Sequence, residues 1–493
     1  ALLVLVGGAV WGAVRPAPRS APVAAAPVVD PPAVDPWFEA RWAERGVTPA
    51  PEAEALAVLR RLTLALTGTV PSLEEIRRFE ADAAPGRLDR ALGALLEDPR
   101  FHRYFAERLA RAFAGTHAGA FLVYRRDLLV DWLAERLARN QPFDAMVREL
   151  VSAEGLWTGA PQTNFITSAV VDGRVDEDQL AARTARAFLG VRMDCAQCHD
   201  HPFTDWKQSQ FQGLAAYYGG LKPSPLGLEH GPAGHPAAVP FGQQWLPAKG
   251  RPREQLAAWL TDPRNERFAR ATANRVWGWM FGKPFAAPVD DVPEQVEVLD
   301  LLGRDFAGHG HDLRRLVRVI ASTRVYRLAA AAPERELWAS FPATPLRPEQ
   351  LVGGLLQAGS VRTIDRDSDL ATRAIRALRE RGFVSEYGDA GPDELAERPA
   401  TVAQALLRMN HRMPGEVLDS NPFTSIGRIA WMAGDDARAL EVVWLSLVTR
   451  RPTEKEREHF LPWLSAARGA ERGRVLGDLS WALFNSAEFS WNH

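Results

Sequence analysis

Along almost the whole chain after Trp37, apolar residues recur three and four positions apart, the spacing that lines one face of an α-helix. Leu56 to Leu66, Leu88 to Leu96, Phe101 to Phe113 and Leu128 to Leu137 all carry this period, and Arg60-Arg61 fall on the side opposite the first apolar stripe. Pro71-Ser72-Leu73-Glu74-Glu75 predicts a helix start. The Ser72 hydroxyl can accept from the backbone three residues on while Glu75 reaches back, a capping box. No run of alternating β-branched residues interrupts the pattern, and only Asn164-Phe165-Ile166-Thr167 is expected to extend briefly. The predicted fold class is mostly α.

Residues 222–252 break the periodicity with Pro223, Pro225, Gly227, Gly231, Pro232, Gly234, Pro236 and Pro240. The expectation is two helical domains, 37–221 and 253–493, joined by this Pro/Gly-rich loop. Downstream, Arg253 to Leu260, Arg267 to Phe281, Val296 to Phe306 and Leu313 to Thr323 are again periodic, with Asp312 a candidate cap. A repeat links the two ends. Leu64-Ala65-Leu66, Pro71-Ser72, Glu75 and Phe79 match Leu445-Ser446-Leu447, Pro452-Thr453, Glu456 and Phe460 at identical spacing, which predicts two copies of a helical hairpin.

Ahead of these domains, residues 1–14 are apolar and too short to span a bilayer, which takes about 20 residues; they read as a signal-anchor or signal-peptide remnant. Residues 15–36 are rich in Pro and Ala and read as a semi-extended linker. The expected address is periplasmic or otherwise extracytoplasmic, with the membrane as a partner through the N-terminus. A formal net charge of -2 gives no electrostatic reason to expect nucleic acid. The chain has no G-x-S-x-G, H-E-x-x-H or P-loop motif, so conventional hydrolase and nucleotide chemistry lack support.

The chemistry concentrates in Cys195-Ala196-Gln197-Cys198-His199, which holds the only 2 cysteines of 493 residues. Two thiols can add across the vinyl groups of a haem while the adjacent imidazole ligates the iron, so covalent haem c is the expected cofactor and His199 its proximal ligand. A thioredoxin-like centre, a structural zinc site using His199 and His201, and a plain Cys195–Cys198 disulfide are the rival readings. Candidate distal ligands are His230, His235 and Met280, and an open position is a further alternative. Around the motif, His201, Asp205 and Trp206 are second-layer candidates, Asp205 orienting His201 as carboxylates do for functional imidazoles. Phe188 and Leu189, on the helix expected from Glu177 to Val191, are candidates to cover one porphyrin face. Asp290-Asp291 is a weak hard-cation signal, and Asn274-Arg275-Val276-Trp277 reads as a buried polar network.

Arg183 to Val191, the cysteine motif and Asp200-His201-Pro202-Phe203 with Asp205-Trp206 resemble the planctomycete cytochrome C family (domain of unknown function 1549). Arg60-Arg61-Leu62-Thr63-Leu64 with Leu66-Thr67-Gly68 is similar to that family's opening motif. Asp262-Pro263, Phe268-Ala269-Arg270, Asn274-Arg275-Val276-Trp277, Pro288-Val289-Asp290-Asp291 and the ending Asn485 to His493 resemble its usual companion, domain of unknown function 1553. The resemblance implies a cytochrome-c-like first domain, working with a redox partner or with the other subunits of an envelope complex. Electron transfer is the function expected, ahead of a haem enzyme with an open distal site or a non-enzymatic structural subunit.

Overall fold

The computed structural model describes residues 34–493, apart from 117–121, 157, 332, 361, 367, 369, 389–390, 392, 394 and 397–400. The expected apolar segment 1–14 and nearly all of the linker lie outside the described residues. Among those described, 24 α-helices dominate, and the only sheets are three two-stranded antiparallel pairs. The protein is therefore mostly α, as the periodicity predicts.

Its buried side chains form two main cores, one drawn from Val34 to Phe341 together with Leu395, the other from Leu351 to Phe489. The helix Glu266–Phe281 runs through the first, with every residue from Phe268 to Phe281 buried. A helix buried all round needs neighbours all round, and those come from both sides of residues 222–252. Phe105 meets Trp279 at 5.4 Å, Phe143 meets Phe268 at 5.7 Å and Phe38 meets Trp277 at 6.2 Å between ring centroids. The Pro/Gly-rich segment thus does not divide the packing. The helices from Pro252–Leu260 to Arg324–Arg327 join the N-terminal core, and the break falls between Phe341 and Leu351.

The Pro/Gly-rich segment is also more ordered than a loop. Leu221–Ser224 pairs with Gly227–His230 across a turn at Pro225-Leu226. Gly227 has φ +129°, and a Cβ there would come within 2.8 Å of the Gly155 backbone, so glycine lets the hairpin seat against the preceding layer. Asn164–Thr167, expected to extend, is instead a short helix.

Local helix signals act as read. Ser72 accepts from Glu75 N at 3.2 Å while Ser72 N donates to Glu75 at 2.8 Å, and Thr453 with Glu456 forms the same box. Asp312 caps Leu313–Ser322 by accepting from Arg315 N at 3.1 Å. The two hairpin copies touch, since Leu59, Ile76 and Phe79 form one apolar cluster with Leu445.

Arg60 and Arg61, on the side opposite the apolar stripe, are buried too. Each is only 1% exposed, so neither forms a solvated helix face. Arg60 donates to the carbonyls of Leu447 (2.9 Å) and Phe489 (3.1 Å), and Arg61 to those of Tyr326 (3.0 Å), Leu328 (2.8 Å) and His493 (2.8 Å). Arg61 also lies 3.8 Å over the Phe341 ring. Burial pushes both guanidiniums down to about 10, which still leaves them charged near neutrality. They clamp the helix Ala55–Thr67 to the end of the chain, whose Trp491–Asn492 strand pairs with Thr344–Pro345.

Candidate functional site

The cysteine turn is delivered by a helix that changes pitch just before it. Asp176 caps Glu177–Thr184 by accepting from Gln179 N at 2.9 Å, and the wider π-helical segment Ala185–Leu189 follows. Such π segments recur next to functional sites. Gly190 ends it at φ +60°, with Val292 and Ala271 so close that a Cβ would meet them at 3.0 and 3.1 Å. The 3-10 turn Asp194–Gln197 then carries Cys195, and Cys198 directly follows. Cys195 thus sits inside the turn and Cys198 at its C-cap, three positions apart. Both are exposed and free.

His199 is exposed, and its Nδ1 lies 2.7 Å from the Asp200 carbonyl. A carbonyl oxygen only accepts, so Nδ1 carries a proton, and in the neutral ring that tautomer leaves the lone pair on Nε2. Gln208 fixes the turn from behind, its side-chain amide donating to the carbonyls of Cys198 (2.9 Å) and Gln197 (3.3 Å). Asp200 accepts from Gln208 N at 3.0 Å and pairs with Lys207 at 3.2 Å; these two contacts hold its carboxyl below the usual range.

The surrounding candidates fall in different places. His201 receives the Phe203 N–H at its Nδ1 (3.2 Å), which orients the ring from the backbone; Asp205 is exposed. His201 N donates to Trp206 O at 2.8 Å, closing a small loop whose tip, Phe203, is 90% exposed. Trp206 is half-buried, 6.5 Å from Phe241 and beneath the Arg267 guanidinium. His230 is exposed at the hairpin end, 3.5 Å from Glu154, and His235 is exposed beyond it. Met280 is fully buried on the central helix. Phe188 and Leu189 are buried in the core, with Phe188 4.9 Å from Phe113. Asn274 is buried and bonded to the Ala286 backbone through both ends of its amide.

Sequence reading missed the charges behind the turn. Arg186 Nε lies 2.9 Å and Nη2 2.7 Å from the Asp194 carboxylate. Arg192 Nε lies 2.9 Å and Nη2 2.7 Å from Asp290. Asp290 therefore serves arginines, not a hard cation, which corrects the reading of Asp290-Asp291. The available signal was indirect: Arg186 and Asp290 both sit inside the family-like motifs, yet nothing in the chain says that the two motifs meet. Among the described residues, no three His, Cys, Asp or Glu side chains are grouped to hold a metal ion, and no helix is long and apolar enough to cross a membrane.

Two free, exposed thiols three positions apart at a turn, followed directly by an imidazole, are the donor set of a c-type haem, and the residues present fit it. The donors stand on the surface: Cys195, Cys198 and His199 are all exposed. The molecule is thus a mostly α-helical protein presenting an exposed C-x-x-C-H turn at the junction of two sequence regions. Residues 33–222 match the family model described as a protein of unknown function, DUF1549, and residues 252–464 match that of DUF1553. The chain belongs to these families, a DUF1549 region followed by a DUF1553 region. No curated protein and no solved structure matches it.

Proposed function

We propose that the Cys195–His199 turn is an attachment site for haem c on an extracytoplasmic, membrane-tethered protein that transfers electrons to a redox partner or within an envelope complex. The observation that supports it best is the state of His199. Its Nδ1–H is committed to the Asp200 carbonyl, the arrangement that fixes ring orientation and leaves Nε2 for iron. Cys195 and Cys198 supply the two thiols; the bound group would supply one-electron chemistry. Expression with a haem c maturation system should give a sharp reduced α-band in the pyridine haemochrome spectrum and haem that survives acid-acetone extraction. Cys195→Ser with Cys198→Ser should abolish both. A colourless wild-type chain from a competent host rejects the proposal.

A second reading, an open sixth position, draws support from the distal candidates. Met280 is enclosed by the core, and His230 is directed to Glu154. Carbon monoxide added to the reduced loaded protein should then shift the Soret band, whereas an unchanged band indicates two tight axial ligands.

A further inference from the structure

We infer that Asp290, supplied by the DUF1553 region, is a positioning residue for the cysteine turn of the DUF1549 region, so that the site is incomplete without the second region. The inference deepens the proposed function and rests on reading the turn as a place where two thiols must be held together.

The connection runs from the core outward. Asn274, fully buried on the central helix, bonds Ala286 O (2.8 Å), Ala286 N (3.0 Å) and Val289 O (3.4 Å), fixing the segment that leads into Asp290. Asp290 is 6% exposed. A carboxylate so enclosed is tolerated only when paired. Its Oδ1 takes two Arg192 nitrogens at 2.9 and 2.7 Å, and Arg186 Nη1 lies 4.0 Å from its Oδ2. Arg186 then grips Asp194 with two nitrogens, a fork that fixes direction as well as distance. Asp194 opens the 3-10 turn and directly precedes Cys195. Three backbone-linked contacts run alongside: Val292 N to Gly190 O at 2.8 Å, Arg192 N to Asp291 at 3.3 Å, and Arg275 Nη2 to Arg186 O at 3.3 Å.

The turn needs such support because it has little of its own. From Cys195 to Asp200 only Ala196 is buried, so apolar packing restrains the thiol-bearing residues weakly. The charged chain from Asp290 through Arg186 to Asp194 couples that exposed segment to the most buried helix of the fold.

The test titrates the haem-free, reduced full chain with phenylarsine oxide, which condenses with two thiols to form two As–S bonds and release water. Asp290→Ala should weaken binding by about tenfold, the lower end of what loss of a ligand-orienting partner costs. Asp290→Glu should recover most of it, and Asp305→Ala should leave it unchanged. Asp305 is a comparably buried carboxylate that pairs with Arg315 at 2.8 Å and His309 at 3.2 Å. Asp194→Ala should match Asp290→Ala, and the double variant should lose no more than either, because both act through one chain of contacts. Wild-type affinity in a folded Asp290→Ala chain, or losses that add in the double variant, overturns the inference. If Asp290→Ala does not fold, Asp290→Asn, which keeps the shape and removes the charge, is read in the same way. A haem-free wild type would reject the proposed function, while the arsenical titration would still decide the role of Asp290.

Discussion

In the first copy of the hairpin, Glu75 of the capping box meets Arg100, which also holds Asp98 at 3.0 Å; the three side chains are 12%, 3% and 7% exposed. In the second copy, Glu456 meets Arg450 at 2.8 Å, and Arg450 also holds Glu488 at 2.5 Å, with exposures near 30% throughout. Each copy thus places one arginine between two carboxylates. The sequence pattern supplies the cap and the glutamate, but solvent decides what the ion pairs contribute. A buried triad depends on complete pairing, because any group left alone keeps its desolvation cost, whereas a half-exposed triad is screened and replaceable.

The largest expected difference comes from removing the arginines. Arg100→Ala strands two enclosed carboxylates and should cost about 3–5 kcal/mol in urea unfolding. Ser72→Ala should come next, at about 1–2 kcal/mol, because the hydroxyl both caps Glu75 N and bonds the Thr363 hydroxyl at 2.7 Å. Arg450→Ala should cost only about 1 kcal/mol, less still in 1 M salt, and an equal loss for Arg100→Ala and Arg450→Ala would erase the contrast. Thr453→Ala should cost about 0.5–1 kcal/mol.

The smallest effect is in acid. The hydrogen bonds from Arg450 hold the Glu456 carboxyl down at about 2, although partial burial pushes it up. Its folded value lies below its unfolded one, so its stabilisation is complete above pH about 4.5 and declines as pH falls toward 2. Arg450→Ala should flatten that part of the stability profile, which unfolding midpoints between pH 5 and 2.5 will show.

What was legible in the chain was what acts across a few residues. The Ser72–Glu75 and Thr453–Glu456 boxes and the Asp312 cap each close within three positions, and the cysteine turn declares itself within five. The burial of Arg60 and Arg61 was not legible, because their acceptors lie hundreds of residues away and a helical wheel shows two adjacent charges only as a polar face. The stretch 222–252 separates the two family-matched regions, but the sharing of one core across it was not legible: proline and glycine report that helices stop, not that cores part, and the helix Glu266–Phe281 packs on partners that precede that stretch. At the site, the donors were visible, while the backbone N–H of Phe203 that reaches His201 Nδ1 was not. The Asp290 link needed the fold, because it joins motifs of two different sequence families.

The Arg60–Arg61 clamp also sets an order of events in biosynthesis. Arg60 waits for Phe489, 429 residues later, and Arg61 for His493, 432 residues later. At about 5–20 residues per second, translation takes on the order of tens of seconds to cover that distance. Throughout it the helix Ala55–Thr67 carries two guanidiniums whose final acceptors have not been made. The helix Ala55–Thr67 is therefore sealed only after residues 429 and 432 positions further along have been made.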